Sequence, residues 1–227
     1  YDFNQTYRDR YKDDPLSLLR FENDWSTTST LGLTIVRDSR DLSQFATKGS
    51  LHQLSSEVSG WALGGDYRYH KHIFDMARYL RVWWNFVLAG KVRIGWVDSP
   101  YGYDGIPYGE RFAPGGTYQD GVIRGYDDAS IGPRNSRGGY MRGRSEIIYN
   151  MELQVPIVNQ QIYALLFADA GNAWESGRAV KPFDLDRYDG LKKSVGAGFR
   201  IVIPGLGTIG FDFGYGYNNP GGAEWKP

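Results

Sequence analysis

The sequence contains no cysteine, so disulfides, thiolate ligands and thiol nucleophiles are excluded. It has only three histidines, which leaves little material for a metal centre or a general base. It carries no net charge, with 26 basic and 26 acidic residues, and so gives no bulk-charge case for a nucleic-acid partner. No apolar run approaches the roughly 18–20 residues of a transmembrane helix. There is no signal-peptide pattern at Tyr1, and the start reads as the middle of a longer element. Heptads, repeats and linkers are also missing, so residues 1–227 read as one domain.

What is abundant is aromatic and small. Of 227 residues, 15% are aromatic, with 17 Tyr and 7 Trp, and 30 are Gly. Two all-β readings fit, a soluble protein or a transmembrane barrel. Barrel strands escape hydropathy scans because lipid-facing and lumen-facing residues alternate, and girdles of Tyr and Trp mark both membrane interfaces. The aromatic excess therefore favours the barrel.

Alternation along the chain supports this. Residues 1–28 are polar and read as an outer loop with one apolar patch at Leu16–Phe21. Strands are expected at Thr30–Asp38, Ser50–Gly60, residues 66–83, Phe86–Trp96, Arg144–Ile157, Gln161–Trp174, Lys192–Ile203 and Thr208–Tyr217. The fourth has Leu88, Val92, Ile94 and Trp96 on one face and Ala89, Lys91, Arg93 and Gly95 on the other. The last puts Ile209, Phe211, Phe213, Tyr215 and Tyr217 opposite four non-aromatic residues, Gly210, Asp212, Gly214 and Gly216. Gln161–Trp174 is apolar on both faces, so alternation does not assign its sides. The connections near 38–49, 83–85, 158–160 and 204–207 are mostly shorter than those on the other side, the asymmetry of short periplasmic turns and long outer loops.

One connection stands apart. Residues 110–139, ERFAPGGTYQDGVIRGYDDASIGPRNSRGG, lack helical or strand period over most of their length, and such long structureless segments usually carry function. Ile123, Arg124, Gly125 and Tyr126 form its centre: one cation among apolar and aromatic neighbours. Gly115 and Gly116 suit backbone at positive φ or in close approach. A phosphate cradle is disfavoured because no helix follows any of these glycines. A barrel of eight strands is filled by its own side chains, so a loop folded inward implies a larger barrel with strands beyond both ends of this sequence.

These residues together resemble the bacterial surface antigen superfamily, which includes BamA-type insertases, TamA relatives and two-partner secretion transporters. The carriers are ERFAPGG…IRGY ending in SIGP, RSEIIYNMELQVPI, LLFADAGNAW and SVGAGFRIVIPGLGTIGFDFGYGY. VRDSRDLSQFATKGS is also similar, with Ala46 where the family usually has proline. AGNAW and the PGLG–DFGYGY pair look more like the BamA type than the transporters.

The resemblance implies an all-β fold, a transmembrane antiparallel β-barrel of about 16 strands, with this chain supplying its C-terminal eight or so. POTRA domains, the first strands and the last strand would lie outside the sequence. It implies a bacterial outer-membrane location and a non-enzymatic role in folding and inserting barrel proteins, with a TamA-like protein or a secretion pore as alternatives. Partners would be unfolded outer-membrane clients, the lipid bilayer, periplasmic chaperones and accessory lipoproteins, with no cofactor and no metal. The family pattern sets Arg124 inside the wall against Glu152 and Asp169. Parity alone places Glu152 in the lumen and leaves Asp169 open. His70 and His72 share a face and read as polar interfacial residues rather than a metal pair. Asp127, Asp128, Asp184 and Asp186 read as solvated turns rather than a calcium site. No G-x-S-x-G occurs, so hydrolase activity is disfavoured.

Overall fold

In the computed structural model the described residues are 26–43, 45–117, 121–135, 139–158, 161–184, 190–203, 205, 207–217 and 225–226. The polar start expected to form an outer loop lies almost wholly outside them, as do residues 159–160 of the third short turn and 185–189 of the last long loop.

Nine strands form one antiparallel sheet in strict sequence order: β1 (Thr30–Asp38), β2 (Gly49–Ser59), β3 (Tyr69–Arg81), β4 (Val87–Asp98), β5 (Ser145–Val158), β6 (Ile162–Trp174), β7 (Lys192–Ile203), β8 (Gly207–Gly216) and β9 (Trp225–Lys226). Among the described residues β1 and β9 do not pair with each other, so this sheet is open, like a segment of a larger wall. Eight of the nine match expected strands. β9 has two residues, too few for a periodic signal. The third strand is shorter than residues 66–83, because Asp66 turns back to accept a bond from the Thr27 amide (2.8 Å). The connection after β4 includes short 3-10 turns at Gly102–Gly105 and Tyr108–Glu110, a stretch without periodicity in the sequence.

Register assigns the two faces. β4 pairs Leu88 with Leu153, Val92 with Tyr149 and Ile94 with Ile147, all on the outer face. β7 and β8 pair Phe199 with Phe211 there, their rings stacked at 4.9 Å. Outer residues are well exposed, Phe213 by 55% and Leu166 by 60%. The inner face carries Ala89, Lys91, Arg93, Glu146, Asn150, Glu152, Arg200 and Asp212. The unassigned strand is settled by its neighbours. Glu152 pairs with Phe167 and Asn150 with Asp169, so Phe167 and Asp169 face inward and Leu166 and Ala168 outward. Small residues let β6 look apolar on both sides while burying one acid.

The short connections sit at one end. At 82–86 a tight turn closes β3 and β4, with the Phe86 amide on the Trp83 carbonyl (2.9 Å) and Trp83 and Trp84 at the surface. That is the placement expected of an interfacial belt. At the other end His70 and His72 flank Trp96 on the outer face, with the His72 and Trp96 rings stacked.

The β1–β2 turn is organised by one carboxylate. Asp41 accepts from the Thr47 hydroxyl (2.6 Å) and from the Thr47 (2.8 Å), Lys48 (3.2 Å) and Leu42 (3.1 Å) amides. This curls the turn so that Phe45 packs edge-on against Tyr163 of β6 (4.3 Å between centroids) and Ala46 is buried. Partial burial pushes the Asp41 carboxyl up, but these donors outweigh it and hold it at about 2. A carboxyl depressed in the folded state stabilises above its unfolded value near 3.9, and that contribution is lost as pH falls through the folded value. Between about pH 4 and pH 2 the turn should therefore loosen, seen as faster amide exchange at Thr47 and Lys48 relative to β2. Asp41→Asn should exchange faster at neutral pH and lose the acid dependence.

Candidate functional site: a loop tethered to the inner wall

The connection between β4 and β5 turns back and lies against the inner face. Its stem is a short two-stranded ladder, with Phe112 and Gly143 exchanging amide–carbonyl bonds of 2.9 and 2.7 Å. Tyr67, Tyr69, Val97, Ile106, Phe112 and Ala173 bury that stem. Arg111 is buried beside it and donates to the Tyr103 (2.7 Å) and Ile106 (2.9 Å) carbonyls. Burial pushes the neighbouring Tyr103 phenol up to about 12. Further in, the loop makes a hairpin in which the Gly115 amide meets the Gly121 carbonyl and the Ile123 amide meets the Gly116 carbonyl. The Asp128 carboxylate caps it by accepting from the Thr117 amide (3.0 Å). Gly116 (φ 63) faces that carboxylate so closely that a β-carbon would collide with it.

At the tip Ile123, Tyr126 and Ile131 pack with Ile148 of β5. Arg124 lies between them with its side chain 3% exposed. Its Nε and Nη2 donate to the two oxygens of Asp169, each at 2.8 Å, a fork-to-fork pair. Its Nη1 donates to Glu152 Oε1 at 2.9 Å, and its backbone amide to Asp169 Oδ2 at 3.0 Å. The guanidinium also lies 3.7 Å above the centre of the Phe167 ring. One residue thus binds three neighbouring wall positions, which a lysine's point charge could not do.

Supporting side chains complete the site. Asn150 donates to Asp169 Oδ1 (2.9 Å) and to the Val122 carbonyl (2.8 Å), and Gln154 donates to Glu152 Oε2 (2.8 Å). Asp212 of β8 stands 4.0 Å from Arg124 and is itself gripped by Arg200 through two bonds of 2.7 Å. A second inner cluster sits above, with Arg93 bound to Glu146 (2.8 Å) and Asp75 (3.0 Å). A lumen cavity of about 710 Å³ adjoins both clusters.

Gly125 (φ 83) lies directly on β8, where an added β-carbon would come within 3.0 Å of the Gly214, Tyr215 and Gly216 backbone. The run of glycines on the inner face of β8 is the seat of this contact. Tyr126 then closes the tip by donating to the Lys193 carbonyl (2.9 Å) and accepting from the Lys193 amide (3.1 Å).

The structure brings together Arg124, Glu152 and Asp169, with Ile123, Gly125 and Tyr126 around them. Gly115 and Gly116 lie apart, in the hairpin. Sequence reasoning missed Phe167, Asn150, Asp212 and Arg200 as members. Asn150, Arg200 and Asp212 alternate with outward apolar residues along their strands, so parity held the signal for these three, while Phe167 required the sheet register. Asp127 and Asp128 belong to the loop's own hydrogen bonding, and Asp186 lies outside the described residues.

The Omp85 superfamily domain matches residues 1–226. The chain is 30% identical over 214 residues to outer membrane protein assembly factor BamA of Nitratidesulfovibrio vulgaris, covering 91% of this chain and 26% of that protein. It is also 30% identical over 139 residues to the sorting and assembly machinery component 50 homolog of Xenopus tropicalis, covering 61% of this chain and 28% of that one. Among solved structures, BamA from Haemophilus ducreyi lacking POTRA domains 1–3 superposes with a TM-score of 0.68 at 20% identity, over 87% of this chain and 40% of that one. The chain thus spans about a quarter of the length of the curated relatives it matches.

Proposed function

The chain belongs to the Omp85 superfamily, and we propose that it forms the C-terminal part of the barrel of a BamA-type assembly factor, which folds and inserts β-barrel proteins into the outer membrane. Likeness along 91% of the chain to a protein named for outer-membrane protein assembly supports this most. Relatives from bacteria and from Xenopus both carry assembly names, which favours insertion over secretion.

The physical task suits a barrel without a reactive pair. A client strand arrives with unpaired N–H and C=O groups, which cannot enter hydrocarbon singly. A seam that opens gives them partners before they meet lipid. The rest of the wall must stay closed meanwhile, and the tethered loop braces it. Arg124 joins β5 and β6 through Glu152 and Asp169, Gly125 rests on β8, and Tyr126 bonds β7. Four consecutive strands are thus clamped by three consecutive loop residues. Partners would be unfolded barrel clients, lipid, periplasmic chaperones and accessory lipoproteins.

The test is client assembly by the complete protein carrying this sequence, reconstituted in lipid vesicles. It should speed folding of an outer-membrane barrel client by about tenfold or more over lipid alone, a barrier drop of at least about 1.4 kcal/mol. Equal rates with and without it would contradict the proposal.

A further inference from the structure

Arginines on the two faces of the wall are treated differently. Inward-facing Arg93 and Arg200 and the loop's Arg124 are each held by carboxylates at 3.0 Å or closer. Arg37 and Arg78 face outward. Arg78 shares the outer face of β3 with Phe74, Met76 and Leu80, opposite Ser50 on β2 and Gly90 on β4. Arg37 stands opposite His52, whose Nε2 lies 3.1 Å from Ser50 Oγ. Both arginines are exposed, and neither has an ion-pair or hydrogen-bond partner among the described residues.

Their depth makes this costly. Arg78 is three residues from the end of β3, about 10 Å along the strand, and beyond it the exposed Trp83 and Trp84 mark the short-turn interface. A cation on the lipid face costs about 2–4 kcal/mol at the midplane and less toward the interface. A guanidinium there snorkels toward the headgroups, where the abundant anion is a lipid phosphate, and phosphate matches its forked donors.

The surface beside Arg78 suits the rest of such a molecule. A groove of about 1020 Å³ runs from Arg78 across the outer face to Tyr217. Small residues line it, Gly90 on β4 and Ala168 and Ala170 on β6, between Met76, Met151 and Val195, with Lys193 beside Tyr217 at the end away from Arg78. Nothing lies within 4 Å of where a Gly90 β-carbon would stand.

We propose that this outer wall binds a phospholipid of the leaflet on the short-turn side, its phosphate on Arg78 beside Ser50 and His52 and an acyl chain in the groove lined by Gly90, Ala168 and Ala170. The site depends on the sheet being a membrane wall and not on client insertion, so it can fail while the assembly function stands. Native mass spectrometry of the complete protein in detergent, titrated with phosphatidylglycerol, tests it, with folding of each variant checked by heat-modifiable migration. Wild type should hold the lipid, Arg78→Gln should weaken it about tenfold, and Arg78→Lys should recover part of the loss. Ala168→Phe, which fills the groove, should weaken it similarly and carries the test alone if Arg78→Gln does not fold. Diacylglycerol with the same chains should bind weakly, and inorganic phosphate should not compete. Equal lipid retention by folded Arg78→Gln or Ala168→Phe, equal binding of diacylglycerol, or displacement by inorganic phosphate would each overturn the proposal.

Discussion

Arg124→Ala is expected to destabilise the barrel by about 3–5 kcal/mol, the usual cost of removing one member of a buried charged set. Two carboxylates at the inner wall, Asp169 and Glu152, would lose their hydrogen-bonded guanidinium at once. Lys91 still acts on Glu152 and Gln154 still donates to it, but Asp169 keeps only the Asn150 amide, and an amide donor does not neutralise a carboxylate. Arg200 is already committed to Asp212 and cannot substitute. The loss should appear as a lower heat-modifiability midpoint and as slower client assembly. Arg124→Lys keeps the charge and loses the fork, so it should recover part of the stability and leave the loop loosely held. Unchanged stability in Arg124→Ala would remove the triad from the explanation of loop placement.

Gly214→Val is expected to be comparably damaging, by about 3 kcal/mol, although it touches no charge. The inner face of β8 at Gly214 carries loop backbone where a side chain would normally stand: a β-carbon there would lie 2.6 Å from the Gly125 amide nitrogen and 3.0 Å from the Arg124 carbonyl carbon. Neither neighbour is a flexible side-chain end, so the loop tip must lift, and lifting it pulls Arg124 off Asp169. Gly210 on the same face is a useful contrast, because a β-carbon there meets only the movable Arg200 side chain at 2.9 Å. Gly210→Ala should therefore cost much less than Gly214→Val. The two β8 variants, compared by protease sensitivity of residues 110–139 and by unfolding midpoint, separate loss of the loop seat from simple weakening of the strand. Equal effects at both positions would contradict the close backbone contact.

How much of this was legible in the sequence varies with the physics of each element. Strands that alternate strongly, such as Val87–Asp98 and Gly207–Gly216, declared both their existence and their faces, because one side meets an apolar medium and the other a polar lumen. Ile162–Trp174 did not, since its alanines and glycine leave little contrast. Only its pairing with β5 reveals that Asp169 faces inward. Parity placed Glu152 but carried no information about distance, and the joining of Arg124 to both acids depends on how a long irregular loop folds back. That fold is dictated by backbone contacts at Gly125 and Gly214, which a sequence records only as two more glycines. The aromatic partner Phe167 was hidden for the same reason, and parity turned Arg200 inward without showing that it grips Asp212 on the next strand. The ninth strand was too short to carry a period.

The tether exists only if residues 121–126 lie inside the wall against β5 and β6, and an introduced cysteine pair can measure this, since these 227 residues hold no cysteine to compete with it. Val122→Cys and Asn150→Cys can be introduced together, at positions where the Asn150 side chain now donates to the Val122 carbonyl at 2.8 Å. In the complete protein embedded in lipid, the pair is expected to form a disulfide on mild oxidation. The single variant Val122→Cys should resist a bulky membrane-impermeant maleimide. Free thiols after oxidation of the double variant, together with rapid labelling of the single variant from the water phase, would place the loop outside the lumen and contradict the tethered arrangement.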